Sequence, residues 1–579
     1  MKTKLNYLFA TLFITMFLNS CINYDDEIDD LQNQITELKE IQSLLELKNI
    51  LYYYIAEEIL VTEISEVENN IILVLENSQR FSFDKSLVTN YVKDKVNWKL
   101  NFVLNDSTEI NVFFLGNKFI FNDLSLNPFN SAPLSLLINK KTPLSGLFNI
   151  KVKGQDGPNS DFHIKTEILG KNHVLKIFGL YADYENEIEI SFTNKDGIVR
   201  SSSTIYVKTE ELPANLPAFN VLKEYETNTQ NTLILINYRI ANIPFMVDTF
   251  GKVRWYSNKF TSVQKYGLQR LKNGNIAFGT AGDGQGSVIE YTMMGELVRI
   301  YDFYGEYENA HHDVFEMSNG NFLVAVNKVG IETVEDFIIE IDRNSGMIGN
   351  IWDLREILQM DRYTFRKIGD GSDWFHVNAV IHDPRDNSII VSGQAQGLAK
   401  ISWQNELIWV LAPHEGWDEK YKSYLLNPKG NSFEWSWGQH APQILNNGNL
   451  MQFDNGFGRE FGNASSNYSR AVEYNIEESN MGGDITQVWQ YGKERGEEMF
   501  SSVISDIDYI EDTQTVFITA GSTALDIEYT NLNTKFKVNL DEVETRIIEV
   551  NRQKDVLFEM TLKSPGRGTT YRSEKLIFK

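Results

Sequence analysis

Three histidines stand at matching points of a recurring strand unit, and imidazole is the side chain that attacks, gives and takes protons near neutral pH. The units read HHDVFEMSNGNFLV (residues 311–324), DWFHVNAVIHDPRDNSIIV (373–391) and WSWGQHAPQILNNGNLMQFDNG (435–456). His312 lies seven residues before Asn319, and His440 lies seven before Asn447. Each therefore begins a strand that runs into an Asn-Gly-Asn hairpin turn. His376 precedes the longer turn Asp383 to Asn387 in the same way. If the units are blades around an axis, residues roughly sixty apart in sequence meet at one central mouth. Aligning the turns puts Tyr266, His312, His376, His440, Ser505 and Tyr571 on the channel. Three imidazoles in phase, out of eight histidines in the whole chain, weigh against a purely structural role.

The elements that must hold this set are strands. Phrases of the form polar, Gly, apolar, x, aromatic recur at Gly251 to Trp255, Gly295 to Tyr301, Gly349 to Trp352, Asn405 to Trp409, Ile485 to Trp489 and Lys554 to Phe558. Each is followed by a loop and an apolar strand, with almost no helix signal between. The spacing predicts an all-β fold over 218–579: a six-bladed β-propeller with four-stranded blades. Leu576 to Phe578, or the early run Leu233 to Tyr238, is expected to complete a shared blade and close the ring. The prolines of Leu212 to Pro217 mark a linker, and strand runs before it predict an immunoglobulin-like β-sandwich over 126–212. Runs such as IILVL and INVFF predict a small β module over 51–125.

The chain of 579 residues is too long for one core. Its net charge of -25 argues against nucleic acid and against an anionic membrane surface as partners, since both need clustered Lys and Arg. The single cysteine, Cys21, has a telling place. Lys2 and Lys4 precede an apolar run from Leu8 to Leu18, then Asn19, Ser20 and Cys21. That order resembles a bacterial lipoprotein processing site, with residues 1–20 as signal peptide. Cys21 then becomes the lipidated first residue of a cell-envelope lipoprotein of the outer membrane. The apolar run is shorter than the roughly 20 residues a spanning helix needs, so the membrane is reached through the lipid alone. Residues 21–50 read as a tether and a short helix, with an apolar seam of Ile28, Leu31, Ile35, Leu38 and Leu45. A coiled coil in a homo-oligomer and a helix packed on its own domain both suit that seam.

The histidine phrases DWFHVN, WSWGQHAPQILNNGN and FDNG, with SRAVEYNI (469–476) and VWQYGKERG (488–496), resemble the bacterial aryl-sulfate sulfotransferases that work without a nucleotide sulfate donor. The resemblance covers about 133–579 and implies a phenolic sulfate donor, a phenol acceptor and no cofactor or metal. It implies ping-pong transfer with His440 as the sulfurylated nucleophile, His312 and His376 as the other catalytic histidines, and Asn378 as a neighbouring substrate-binding amide. Tyr266, Ser505 and Tyr571 join the substrate-binding set from their channel positions. Where the family has an arginine after the second histidine, Gln394 stands here. Gln donates a hydrogen bond but no charge, so either another cation, Arg459 or Lys493, substitutes or the substrate range has changed. The disulfide of some members has no counterpart, with one cysteine in the chain.

Two other function classes suit the same residues. Three histidines can hold zinc or manganese in a lyase or hydrolase, with Asp313 and Asp454 as ligands or as groups that orient the imidazoles. Adjacent strand residues face opposite ways, so only one of His311 and His312 is expected to enter the channel. A non-catalytic propeller that binds glycans or proteins is the other class.

Overall fold

The computed structural model describes residues 24–239, 242–259, 264–282, 285–303, 305–362, 373–462, 467–523, 527–530, 533–536, 543–563 and 568–578. Cys21 and the segment expected to be a signal peptide lie outside the described residues.

Among the described residues, six sheets follow one another from Thr232 to Ile577. Their innermost strands are Gln264–Arg270, Val314–Glu316, Val377–Asp383, His440–Ile444, Asp506–Ile510 and Thr570–Ile577. Each of these touches the next, and the last touches the first. The sheets thus stand in a closed ring, a β-propeller. The ring is closed by both segments that the sequence offered: Thr232–Tyr238 pairs antiparallel with the C-terminal strand, Thr232 opposite Ile577. Closure by hydrogen bonds leaves no seam at which the ring can open cheaply.

The repeated aromatic of each phrase lies on the outer strand of its sheet and explains the repeat. Trp255 Nε1 donates to Met293 O (2.7 Å), Trp352 Nε1 to Ser402 O (3.1 Å), Trp409 Nε1 to Glu478 Oε1 (3.0 Å) and Trp489 Nε1 to Arg552 O (3.1 Å). Each acceptor belongs to the next sheet of the ring. In four of the six sheets an indole therefore brings a large apolar surface and a directional clamp to its neighbour. The Asn-Gly-Asn turns repeat too. The second Asn donates its Nδ2 to a glutamate on the third strand: Asn275 to Glu290 (2.6 Å), Asn321 to Glu340 (2.7 Å) and Asn449 to Glu473 (2.6 Å).

Ahead of the ring, the 18-residue strand Ser135–Val152 organises the sandwich unit. It pairs with Gly170–Phe178 through its first half and with Glu185–Asn194 and Phe162–Lys165 through its second. The buried Arg254 bolts this unit to the propeller, donating to Gly179 O (2.8 Å), Ser160 O (3.0 Å), Tyr181 Oη (2.9 Å) and Asp248 Oδ2 (3.0 Å). Residues 60–114 form a separate six-stranded sheet.

The N-terminal helix differs from the expected short one. It runs 33 residues, Tyr24–Ala56, and buries Leu47, Leu51 and Tyr54 on the six-stranded sheet. Ile28 and Leu45 of the expected seam are 44% and 45% exposed. Only the last third of the helix lies over the sheet, so the face it buries is set by that contact and not by the earlier apolar spacing.

Candidate active site

The inner strands begin with backbone that ordinary strands avoid. His312 and His376 have φ of 60° and 58°, and Ala441, next to His440, has 49°. Pairing slips by a residue between Val377 and Ala379 and between His440 and Gln443. A left-handed residue of this kind costs about 1 kcal/mol or more and re-aims the side chain out of the pleat. The repetition of the device on three neighbouring inner strands turns their histidines toward one place.

The rings meet there. The His312 and His376 centroids lie 4.7 Å apart, Tyr266 lies 5.7 Å from His312, and Tyr571 lies 5.9 Å from His312, 6.0 Å from Tyr266 and 6.4 Å from His440. Tyr571 thus sits among the other four sequence-derived channel groups that carry rings, and its hydroxyl donates to Asn378 O (3.3 Å). Burial pushes the Tyr571 hydroxyl well above its ordinary value, so it stays a donor. Asn378 donates Nδ2 to Gln439 O (2.7 Å), fixing the peptide just before His440.

Two carboxylates absent from the sequence-derived set control His376. Glu335 Oε2 and Asp373 Oδ2 lie 2.6 Å and 2.7 Å from its Nδ1. Burial favours the neutral ring, but the Glu335 charge and the hydrogen bonds that Nδ1–H donates to the acids outweigh it and raise His376 to about 9. Glu335 responds in kind: burial raises it, yet the charged His376 ring that it touches holds it below the usual carboxylate range. His312 has no such contact, its Nδ1 lying 3.8 Å from Glu335. Burial, aided by the neighbouring His376 charge, pushes His312 well below its ordinary value, so it is neutral. One imidazolium and one neutral imidazole stand side by side.

His440 is fixed by a different device. Its Nδ1 faces two acceptors, Gly438 O at 3.0 Å and Asn455 Oδ1 at 2.8 Å. The Asn455 amide is oriented by donating Nδ2 to Ser501 O (2.8 Å) and Ile504 O (2.7 Å), which leaves Oδ1 for the imidazole. Nδ1 therefore carries the hydrogen, and Nε2 carries the lone pair. Ser505 stands one layer back, its hydroxyl paired with Ser501 Oγ (2.9 Å) and accepting from Gly521 N (3.1 Å).

Several expectations need correction. His311 and His312 do not diverge: their Nδ1 atoms are 3.1 Å apart, because the left-handed His312 breaks the two-residue alternation of a strand. Asp313 and Asp454 orient no imidazole. Asp454 pairs with Arg459 (3.0 Å) and Arg470 (2.9 Å), while Asp313 accepts from Val380 N (3.0 Å) and pairs with Arg572 (3.0 Å). Glu335, Asp373 and Asn455 take that task. Nor do Arg459 and Lys493 stand in for a missing cation, since Arg459 is spent on Asp454 and Tyr468 O and Lys493 on Glu434. Gln394 is buried, its N–H donating to His376 O (3.0 Å). Asp373 and Asn455 lie inside the quoted histidine phrases, so their nearness in sequence was a usable signal. Glu335 had none, being on the loop after the second strand of the preceding sheet.

A family model described as Arylsulfotransferase (ASST) matches residues 218–572, and one described as Arylsulfotransferase Ig-like domain matches 124–210. The arylsulfate sulfotransferase AssT of Escherichia coli O6:H1 is 26% identical over 562 residues, covering 78% of this chain and 92% of that protein. The AssT of Lelliottia amnigena is 26% identical over 537 residues, covering 73% and 88%. Among solved structures, a protein of unknown function from Bacteroides caccae aligns with 54% of this chain and 92% of its own, at 15% identity and a TM-score of 0.31. The family models cover the sandwich and the ring that presents the histidines as far as residue 572, and this chain belongs to the arylsulfotransferase family.

Proposed function

We propose that this enzyme moves a sulfuryl group from a phenolic sulfate ester to a phenol in two half-reactions joined by a sulfohistidine at His440. The carrying observation is the tautomer of His440, whose Nδ1 hydrogen is held by Gly438 O and Asn455 Oδ1. In the first half-reaction Nε2 attacks sulfur and the bond from sulfur to the aryl oxygen breaks. The departing phenolate takes a proton from His376, whose Nδ1–H stays on its two carboxylates while Nε2–H transfers. In the second, the acceptor phenol returns a proton to His376, its oxygen attacks sulfur, and the N–S bond breaks. A group at about 9 is well matched to phenols of pKa about 10, so neither proton transfer is steeply uphill. Donor and acceptor are the same kind of ester and alcohol, which removes the need for an activated donor.

The positive charge that the sulfuryl oxygens require resides on His376. Neutral His312 and the hydroxyls of Tyr266 and Tyr571 supply further donors. With the cation on the histidine, Gln394 in place of the family arginine is tolerable. Incubation with donor alone, followed by peptide mapping by mass spectrometry, should find one added sulfuryl on the peptide that contains His440. An unmodified peptide, together with turnover that persists in His440→Asn, would falsify the covalent route.

The sequence before the first described residue supports a lipid anchor at Cys21, in the cell envelope. No described helix is long and apolar enough to cross a membrane. Cys21→Ala should leave a folded, active protein that leaves the membrane fraction; continued membrane association of that variant would refute the anchor.

A further inference from the structure

Glu335 and Asp373 aim their oxygens at the same nitrogen, 2.6 Å and 2.7 Å from His376 Nδ1. Two anionic oxygens crowding one N–H repel each other, and a single proton balances half their charge. The second Asp373 oxygen is buried without a hydrogen-bond partner among the described residues, on a side chain whose residue is 3% exposed. A further nitrogen, His312 Nδ1, lies 3.8 Å from the same Glu335 oxygen. Donor atoms of Glu335, Asp373 and His376 all fall within 4.8 Å of one another, as do those of His311, His312 and Glu335.

This donor set has a chemical preference. Oxygen-only cages suit calcium and magnesium, whereas imidazole nitrogen mixed with carboxylate suits zinc and its neighbours. Tetrahedral zinc with ligands at about 2.0–2.2 Å sets them roughly 3.4 Å apart. The two short gaps, 2.6 Å and 2.7 Å, would each open by under about 1 Å.

We propose that a divalent ion of the zinc class binds Glu335, Asp373 and His376 Nδ1, with its fourth position open to water, and that its binding reversibly stops sulfuryl transfer. The ion takes the place of the Nδ1 proton, releases that proton to solvent, and leaves Nε2–H on a metal-bound imidazole, a weaker acid than the imidazolium that serves the phenolate. Inhibition rests on the function proposed above; binding does not, so the two are separable.

The test uses the metal alone on the full chain. Zinc is partitioned against a chromophoric chelator, and cobalt(II) is added separately for its visible spectrum. The expected result is one zinc per chain, an intense tetrahedral cobalt band, loss of both in Glu335→Gln/Asp373→Asn, and retention of both in His440→Asn. Absence of stoichiometric zinc and of the cobalt band in the unaltered chain overturns the proposal without any variant. Binding unchanged in a folded Glu335→Gln/Asp373→Asn chain overturns it as well. Transfer assays then test the inhibition: zinc should suppress turnover at least tenfold and chelator should restore it, and turnover unaffected by saturating zinc overturns that half. An unaltered chain that binds zinc yet transfers no sulfuryl before zinc is added upholds the metal site and sinks the function proposed above.

Discussion

At the mouth of the channel Glu335 is held below the usual carboxylate range, and the histidine it touches is raised to about 9. A few residues further along the same inner strands, acids behave in the opposite way. Asp508 and Glu574 are pushed up to about 6 and about 7, and Asp506 rises well above its ordinary value. Burial is the leading influence in both regions, so burial is not what separates them. Contact is. At the mouth each carboxylate touches an ionisable ring at hydrogen-bond distance. Deeper, Asp313, Asp506, Asp508 and Glu574 line a cavity of about 200 Å³ with Arg270 and Arg572. Arg572 reaches Asp313 at 3.0 Å and Asp506 at only 3.5 Å, and Asp508 Oδ2 is buried without a hydrogen-bond partner among the described residues. Four acids to two guanidiniums leave carboxyls that favour their protons; two acids on one imidazole create an ion pair.

The comparison breaks most visibly at Glu335. Glu335→Gln removes the larger of the charges that sustain the His376 imidazolium, so at pH 8 the ring loses its proton and turnover falls by about a hundredfold. The alkaline limb of the rate profile should move to lower pH, and the loss should shrink as pH is lowered toward 6. Asp508→Asn in the deeper cavity should leave turnover within about twofold. A pH profile that Glu335→Gln leaves in place would mean that Asp373 alone charges the histidine.

A smaller effect is expected where the mouth uses a neutral partner. Asn455→Leu keeps the volume but removes one of the two acceptors that define the His440 tautomer. The ring keeps Gly438 O, so kcat should fall about tenfold with KM within about twofold. The measurement is steady-state kinetics alongside the rate of sulfuryl uptake from donor alone. A change confined to KM would show that Asn455 serves binding and not the tautomer.

What the sequence disclosed follows the same division between regular and irregular contacts. The ring, its closure and the three histidines were legible because each rests on a repeat: a turn, a strand and an aromatic returning at similar spacing. Trp255, Trp352 and Trp409 do the same task in three of the sheets, so their phrases align. The control of the histidines does not repeat. Glu335 reaches His376 from a loop of the neighbouring sheet, and no periodicity announces it. The alternation rule misplaced His311 because one left-handed residue suspends it, and conformation at a single φ leaves no mark in a pattern of residue types. The helix seam failed for a related reason: Leu47, Leu51 and Tyr54 are chosen by a sheet folded from later residues.

The smallest expected effect concerns stability and tests the deeper region directly. Asp508 and Glu574 are raised in the folded chain, chiefly by burial. Below the ordinary carboxyl value of about 4, folded and unfolded chains both hold these protons and stability is undiminished. As pH climbs toward 7 the unfolded chain ionises first, so folding is progressively weakened, and the loss levels off once the folded groups ionise as well. Replacing both acids with amides removes this dependence. Glu574→Gln keeps an acceptor for the Arg270 N–H, now 3.0 Å from the carboxylate, and Asp508→Asn can donate where the acid had no partner. The double variant should therefore be more stable than the original at pH 8, by about 1–2 kcal/mol, and indistinguishable at pH 4. Thermal melts at pH 4, 6 and 8 measure the divergence. A double variant that melts lower than the original at pH 8 would mean that these acids are ionised and paired after all, and that the deep channel obeys the same rule as the mouth.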